Sequence, residues 1–565
     1  MNYRWTFREK PDESTVHKIS KTLDIPKSLA EVLATRGIKD EIEAKKFFSP
    51  SLNDLYDPFL MNGMEEAVDR ILEAVKRKEL IWIHGDYDVD GTSSTAMVLQ
   101  FLREIGAKVE YYIPDRFTEG YGFSESSAKK AKDAGASLII TVDVGITSYE
   151  PFRYVRHLGL DSIICDHHEP GEQIPDADII LDPLMPDCNY PFKNLAACGV
   201  AFKLLQAIAI KMNNPAMVFP YLDYVALASA ADMVPLIDEN RILVYYGMHQ
   251  LNSNPRPGIK GLIDCTFLTP GTINASNIIY SLAPLINAAG RLGSASRSVE
   301  MMIQKDPISA FQIAQQLEQE NRRRRTFDEK TFEEAVPMAE KLLEEKSRKS
   351  LVIHHPNWHA GVIGIVASRL VDKFRLPTVL LTTIDNHAKG SARSITNFDI
   401  HSALKQCADL LIEYGGHKHA AGLTMREEDV DKFREKFDEI ARQKITNDML
   451  VPEIVIDTEL KLYELSPKFL KTLQKFAPYG FENNKPIFYS RGVKTVNGIK
   501  VVGKNHLKFR AFQSFEIDAI GYNLANKINY CVNGQPFSIV YNIEENTYNG
   551  FTMPQLRIKD IRPDK

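Results

Sequence analysis

Short β-branched runs alternating with helix-like patterns constrain this chain more than any other feature. From about residue 65 the helix-like "MEEAVDRILEAVKRKE" precedes "LIWI", and "TAMVLQFLREIG" leads into "KVEYYI". After "SESSAKKAKDAG" come "SLIITV", "DSIIC" and "ADIIL". That rhythm predicts βαβ units and a mostly parallel sheet, an α/β fold. Acids and imidazoles stand where the runs end. "HGDYDVDG" follows the first, Asp143 follows "LIITV", and Asp166, His167 and His168 follow "SIIC"; Asp232 ends the apolar "ALASAA". Open parallel sheets bind ligands beyond the carboxyl ends of their strands, so these groups are expected to converge. A single strand-end Asp is ordinarily a turn former or helix cap. Recurrence at four places with adjacent histidines carries the signal, and carboxylates with a few imidazoles suit Mn²⁺ or Mg²⁺.

Asp86, Asp88, Asp90 and Gly91 also match the first half of a calcium loop, which requires a bidentate Glu at position 12. Met97 stands there. The loop follows a strand-like run rather than a helix, and the calcium reading is rejected.

At 565 residues the chain is long enough for several domains. Residues 1–60 read as a helical segment broken by Pro and Gly, and 61–304 as the domain carrying the acids. Residues 305–345 form a charged connecting helix with Pro337 as a break, and 346–445 a second, smaller α/β domain. Residues 446–565 are rich in short strands with polar turns, expected to form a small barrel or sandwich. The net charge of −5 means that any nucleic-acid-binding field must be local. Six scattered cysteines without a C-x-x-C pair argue against a thiolate zinc site and a disulfide scaffold. The start lacks an apolar leader, and no apolar run reaches membrane-spanning length. A soluble, cytoplasmic protein without a membrane partner is expected.

"HGDYDVDG", "PDRFTEGYG", "TVDVGI", "DHH" and "ADMVPL" resemble, in order, the motifs of the DHH phosphoesterase superfamily. "INAAGRLG", "WHAGVIGIVASRL", "GSARS" and "GGHKHAAG" extend the resemblance to its RecJ branch, bacterial single-strand-specific exonucleases. The resemblance covers nearly the whole chain. It implies a parallel-sheet DHH domain, a long connecting helix, a DHH-associated substrate-binding domain and a C-terminal OB-like, nucleic-acid-binding barrel. In "PYGFENNKPIF", Lys485 follows Asn484 where a Pro is common, and the further terminal domain of some longer relatives is expected to be missing.

The resemblance implies two divalent ions, Mn²⁺ or Mg²⁺. Asp143 would bridge them, His84 and Asp88 completing one site, and Asp90, His167 and Asp232 the other. His168 would lie against the reacting phosphate, and the role of Asp86 stays open. Arg116, Tyr121, Arg291, Ser391, Arg393 and His417 match positions that meet the substrate. Arg suits a terminal phosphate because its planar fork bonds two oxygens at once. On a helix Arg322 to Arg325 point in different directions, so a solvated arm and a phosphate grip both stay open. The implied activity is 5′→3′ hydrolysis of single-stranded DNA to 5′-mononucleotides in recombination and repair. A single-strand-binding protein and a RecQ-type helicase are the implied partners, and a monomer is expected. Short-RNA and cyclic-dinucleotide phosphodiesterases and pyrophosphatases of the superfamily lack the OB-like extension. Non-catalytic relatives have lost metal ligands, whereas here every ligand position is filled.

Overall fold

The computed structural model describes residues 3–116, 118–120, 122–532, 534–548 and 551–564. The run "LIWI" forms the strand Leu80–Gly85, every residue of which is buried. Alternate side chains of a strand point to opposite faces. Ile81 and Ile83 therefore join one apolar core, and Leu80 and Trp82 another. Helices cover both faces, which explains the near-continuous apolar runs. The helices Met64–Arg77, Val89–Glu104, Ala197–Lys211 and Leu222–Ala231 pack on one side. Glu125–Asp133 and Tyr149–His157 pack on the other. Five parallel strands stand in the order Lys108–Tyr112, Leu80–Gly85, Ala136–Val142, Asp161–Cys165, Ile179–Leu181. From Leu80–Gly85 the chain builds first to one side and then to the other. That switch opens a crevice at the carboxyl ends of Leu80–Gly85 and Ala136–Val142.

The connecting element is one 39-residue helix, Pro307–Glu345, about 58 Å long at 1.5 Å per residue. Pro337 lies inside it and does not break it, contrary to the sequence expectation. An interior proline costs about 3 kcal/mol. Here Ala335 and Ala339, on either side of it, are fully buried against the second domain, and that packing keeps the helix continuous. The second domain is a mixed sheet in the order Glu413–Gly416, Ala420–Arg426, His387–Arg393, Thr378–Ile384, Leu351–His354, flanked by the helix Ala360–Phe374.

The C-terminal strands close into a barrel rather than a sandwich, because Phe488–Val502 pairs with both His506–Phe512 and Phe537–Tyr548. Two features of the N-terminal segment have no local signature in the sequence. Its first element is a strand, Arg4–Phe7, paired in parallel with Glu453–Ile456. Its helices share one core with the barrel, Ile19, Leu29 and Leu33 packing with Phe469, Phe476 and Phe488. A partner some 450 residues away leaves no local trace in the sequence.

The segment that joins this body to the sheet domain is pinned by a buried ion pair. Lys203 Nζ donates to Glu239 Oε1 at 2.9 Å and to the Tyr56 carbonyl at 2.6 Å. Glu239 also accepts from Tyr56 N–H and Tyr190 O–H, and neither member of the pair has exposed side-chain surface. Removing one partner leaves the other charge buried. Lys203→Met is expected to destabilise the protein by about 3–5 kcal/mol, read as a lower urea midpoint with unchanged m-value. A loss below about 1 kcal/mol, the range of exposed pairs, would contradict this account.

Candidate active site

The loop after Leu80–Gly85 turns at once into a helix, and its acids are distributed by that turn. Asp88 is the N-cap of Val89–Glu104, its Oδ1 accepting from Gly91 N–H at 3.1 Å. Position 91 must be glycine, since a Cβ there would lie 2.5 Å from the Asp86 carbonyl oxygen. Asp90 accepts from the backbone N–H groups of Ala197 and Cys198, both at 2.8 Å. These belong to the first turn of Ala197–Lys211, whose N-cap, Ala196, offers no side-chain cap. Asp90 therefore supplies the anion that this helix end attracts. Asp143 sits one residue beyond Ala136–Val142 with φ of +65°, a left-handed conformation that Asp tolerates better than most residues. Asp232 caps the carboxyl end of Leu222–Ala231, and Met233 after it is also left-handed.

These elements bring together most of the residues expected to converge. His167 Nε2 lies 3.3 Å from Asp143, 3.8 Å from Asp232 and 3.9 Å from Asp90. Ligand-capable atoms of Asp90, His167 and Asp232 fall within 4.8 Å of one another, as do those of Asp86, Asp88 and Asp143. Asp86, whose role the resemblance leaves open, is thus grouped with Asp88 and Asp143. Asp143, His167 and His168 form a third such group. His84 is fully buried, with Phe123 edge-on at 5.0 Å. Neither of its ring nitrogens has a hydrogen-bond partner among the described residues.

Crowding shows in the electrostatics. Burial, then the charges of Asp90, Asp88, Asp86 and Asp232, hold the Asp143 carboxyl well above the usual carboxylate range. Burial and Asp88 do the same to Asp86. Burial and Asp88 raise Asp90 to about 7 against the two N–H groups, and burial, Asp90 and Asp88 raise Asp232 to about 8. Burial lowers His84 to about 4, and burial with the charge of His168 lowers His167 to about 4, so both rings are neutral and carry free lone pairs. An array of buried acids beside neutral imidazoles is a hard-cation donor set. The unpartnered His84 nitrogens and the orphaned Asp86 Oδ1 fit the same role.

His168 is held differently. Its Nδ1 meets Asp166 Oδ1 at 2.7 Å, and Asp166 also accepts the N–H groups of His167 and Ile146. Burial opposes its charge, but the hydrogen bond and charge of Asp166, together with the charges of Asp232 and Asp90, outweigh burial and raise His168 to about 9. No role for Asp166 follows from the sequence; its place at a strand end, directly before two histidines, is the available signal.

Beside the acids lies a cationic pocket. The Arg116 guanidinium stands 5.0 Å from the ring of Tyr87, between Asp86 and Asp88 in sequence. A Cβ on Gly290 would lie 2.9 Å from the Tyr87 carbonyl oxygen, which brings the neighbouring Arg291 to the same loop. Arg291 donates to the Gly361 carbonyl at 3.0 Å, across to the second domain. There Ser391 and Arg393 share one face of His387–Arg393, with Arg393 Nη1 2.9 Å from Ser391 Oγ. A Cβ on Gly364 would lie 2.8 Å from Ser391 Oγ and 2.9 Å from Arg393 Nη2, so the helix Ala360–Phe374 closes the pocket wall. Burial, then the charges of Arg116, Arg324 and Arg393, lower Arg291 to about 10. Four cations this close call for a multiply charged anion.

Of the run Arg322 to Arg325, only Arg324 is buried, hydrogen-bonded to Asn321 Oδ1; the others are exposed. Sequence could not select it, because the choice depends on which helix face meets the first domain. His417 lies exposed in the turn between Glu413–Gly416 and Ala420–Arg426, at the end of the sheet where Ala420 pairs with Arg393. Tyr121 lies outside the described residues.

Comparison with known proteins agrees with this architecture. Residues 80–229 match the DHH family N-terminal domain, 347–443 the DHHA1 domain and 456–560 the RecJ OB domain. The chain is 37% identical to the single-stranded-DNA-specific exonuclease RecJ of Bacillus subtilis, over 99% of this chain and 70% of that protein. It is 32% identical to its Escherichia coli counterpart over 97% and 98%. The crystal structure of Thermus thermophilus RecJ in complex with Mn²⁺ superposes with a TM-score of 0.86 at 28% identity, covering all of this chain and 80% of that one. A structure of exonuclease RecJ bound to manganese matches 70% of this chain and 97% of its own length, with a TM-score of 0.61 at 32% identity. With its sheet domain, second domain and barrel each matching the corresponding family part, and identity above 30% along nearly full-length relatives, the chain belongs to the RecJ family of the DHH superfamily.

Proposed function

We propose that this chain is a metal-dependent exonuclease that hydrolyses single-stranded DNA 5′→3′ to 5′-mononucleotides in recombination and repair. The observation that carries the reading is the adjacency of a cation-hungry cluster of acids to a largely buried pocket of arginines. An end-specific nuclease needs both, one to cut and one to hold the terminus. Relatives named as single-stranded-DNA-specific exonucleases, and RecJ structures containing Mn²⁺ and Mg²⁺, support it.

Asp143 is proposed to bridge two divalent ions, Mn²⁺ or Mg²⁺, with His84 and Asp88 completing one site and Asp90, His167 and Asp232 the other. Asp86 stands close enough to add to the first. When bound, such a pair acidifies water and offsets the charge of the scissile phosphate. The remaining work falls to the chain. The Ala197 and Cys198 N–H groups hold Asp90 in one orientation, and Asp166, bonded to Nδ1, favours a protonated His168 that can stabilise charge or donate to the leaving oxygen. Arg291, Arg393 and Ser391 take the 5′-phosphate, with Arg116 beside them; Tyr121 offers a stacking face and His417 a polar contact.

Among the described residues no helix is long and apolar enough to cross a membrane. The family resemblance supports a cytoplasmic monomer that works with a single-strand-binding protein and a RecQ-type helicase.

Two experiments test the reading. In EDTA, raised carboxyl values at Asp90 and Asp232 mean that the folded state binds protons the unfolded chain releases near pH 4. Metal-free stability should therefore fall as pH rises from 6 to 8, and the rise in Tm on adding Mn²⁺ should grow over that range. At a hundredfold excess over Kd the ion contributes about 2.7 kcal/mol. Asp143→Asn should raise the metal-free Tm, abolish most of the Mn²⁺-dependent rise and remove hydrolysis; near-normal turnover by this variant at saturating Mn²⁺ would refute the bridging role. In the second experiment, Arg393→Ala is expected to weaken use of 5′-phosphorylated strands by about tenfold or more, a loss of about 1.5–3 kcal/mol, and unphosphorylated strands far less. Equal losses on both would remove Arg393 from the terminal pocket.

A further inference from the structure

The loop carrying Asp232 and the barrel meet through one buried cation. Arg241 lies nine residues beyond Asp232, on the helix Asp238–Ser253, and is 3% exposed. Its Nε and Nη2 donate to the Phe47 carbonyl at 3.1 and 3.0 Å, and Nη1 to that of Phe476 at 2.9 Å. Nη2 also donates to the carbonyls of Lys475 and Ala477, both at 2.9 Å. Phe47 is in the last turn of Glu41–Phe48, and residues 475–477 follow the helix Pro467–Gln474. Carbonyls at helix carboxyl ends lack intrahelical donors and carry the negative pole of the dipole. Two helix ends thus balance the guanidinium, which also lies 3.8 Å from the centre of the Phe47 ring. Among the described residues no carboxylate is a hydrogen-bond partner of Arg241.

The clasp has a second point. Leu236 N–H donates to the Phe481 carbonyl at 2.9 Å, and a Cβ on Gly480 would lie 2.4 Å from Leu236 Cδ1. From within the barrel body, Asn483 Nδ2 donates to the carbonyls of Phe476 and Pro478, and Arg36 donates to Asn483 and Asn484. Residues 475–484 are therefore fixed on both sides, and all of Arg241's acceptors are main-chain atoms that cannot rotate away. The surface so placed carries Lys471 and Lys475, both exposed. With Lys485, which is paired with Glu544 at 2.8 Å, and with His249, Tyr245 and Glu545, they line a groove of about 1000 Å³ at the junction.

We propose that Arg241 is a positioning residue for the polynucleotide. It fixes the bearing of the barrel body relative to Asp232, so that a strand held by the barrel enters the cleft in register. The inference rests on the exonuclease reading. A tethered second contact strengthens binding only where the geometry permits both contacts at once, so loosening this joint weakens long strands and spares short ones.

The test compares wild type, Arg241→Gln and Arg241→Lys with Mn²⁺ on a 5′-phosphorylated tetranucleotide and on a strand long enough to reach the barrel. Arg241→Gln is expected to keep kcat on the tetranucleotide within about twofold and to raise KM for the long strand about tenfold. Arg241→Lys, which keeps the charge and some of the hydrogen bonds, should recover part of that loss. A folded Arg241→Gln with wild-type KM for the long strand would overturn the proposal, as would equal losses on both substrates. Failure of both variants to fold, read by circular dichroism, would also overturn it, because the residue would then serve the fold alone. If the wild-type chain hydrolyses neither substrate, the exonuclease reading falls instead; the same split between long and short strands is then expected in binding affinity, and its absence would overturn the role of Arg241.

Discussion

Mutual repulsion among buried carboxylates is the constraint on which the rest of this structure depends. Asp86, Asp90 and Asp143 are almost inaccessible to water and lie beside Asp88 and Asp232. Burial alone disfavours each charge, and each neighbour adds to the penalty. Such an arrangement persists only if surrounding packing holds it. The fully buried strand Leu80–Gly85, the almost wholly buried helix Val89–Glu104 and the amide pair on Asp90 do so. The left-handed backbone at Asp143 belongs to the same account, as local strain tolerated where neighbours over-determine the conformation.

Charge of the opposite sign is kept close but separate. Arg116 meets the acid loop at the ring of Tyr87, and among the described residues no ion pair joins it to the loop's carboxylates; Arg291 and Arg393 spend hydrogen bonds on main-chain and hydroxyl oxygens. Had they formed ion pairs with the acids, both clusters would be neutralised and neither would retain affinity for an ion or a phosphate. The pocket also spans two domains. Arg291 comes from the first, and Ser391 and Arg393 from the second, with the long helix Pro307–Glu345 setting their separation. Continuity of that helix through Pro337 has a functional consequence, because a kink there would swing the second domain.

Much of the site was legible because strand ends can be located from hydrophobic runs, and a parallel sheet gathers its strand ends. Asp143, His167 and Asp90 needed only the α/β rhythm to be expected in one place, whereas Asp232, at the carboxyl end of the helix Leu222–Ala231, is brought there by helix packing. Asp166 was visible but could not be given a role, since its service to His168 is a matter of ring orientation. Ala197 and Cys198 were invisible, because they act through backbone N–H groups that any residue type supplies. In the arginine run, sequence offered four equivalent side chains, and only the contacts of the helix distinguish Arg324.

The sequence by itself determined the class of the fold, the order of its parts and the chemical types assembled at the cleft, because periodicity, turn residues and strand-end acids act over short distances along the chain. Only the tertiary structure decided that the N-terminal strand pairs with residues 453–456, that the first helices share a core with the barrel, and that Arg241 rivets that body to the loop of Asp232. Those contacts join segments hundreds of residues apart, often through main-chain atoms common to every residue. Their energy depends on geometry that no local pattern encodes.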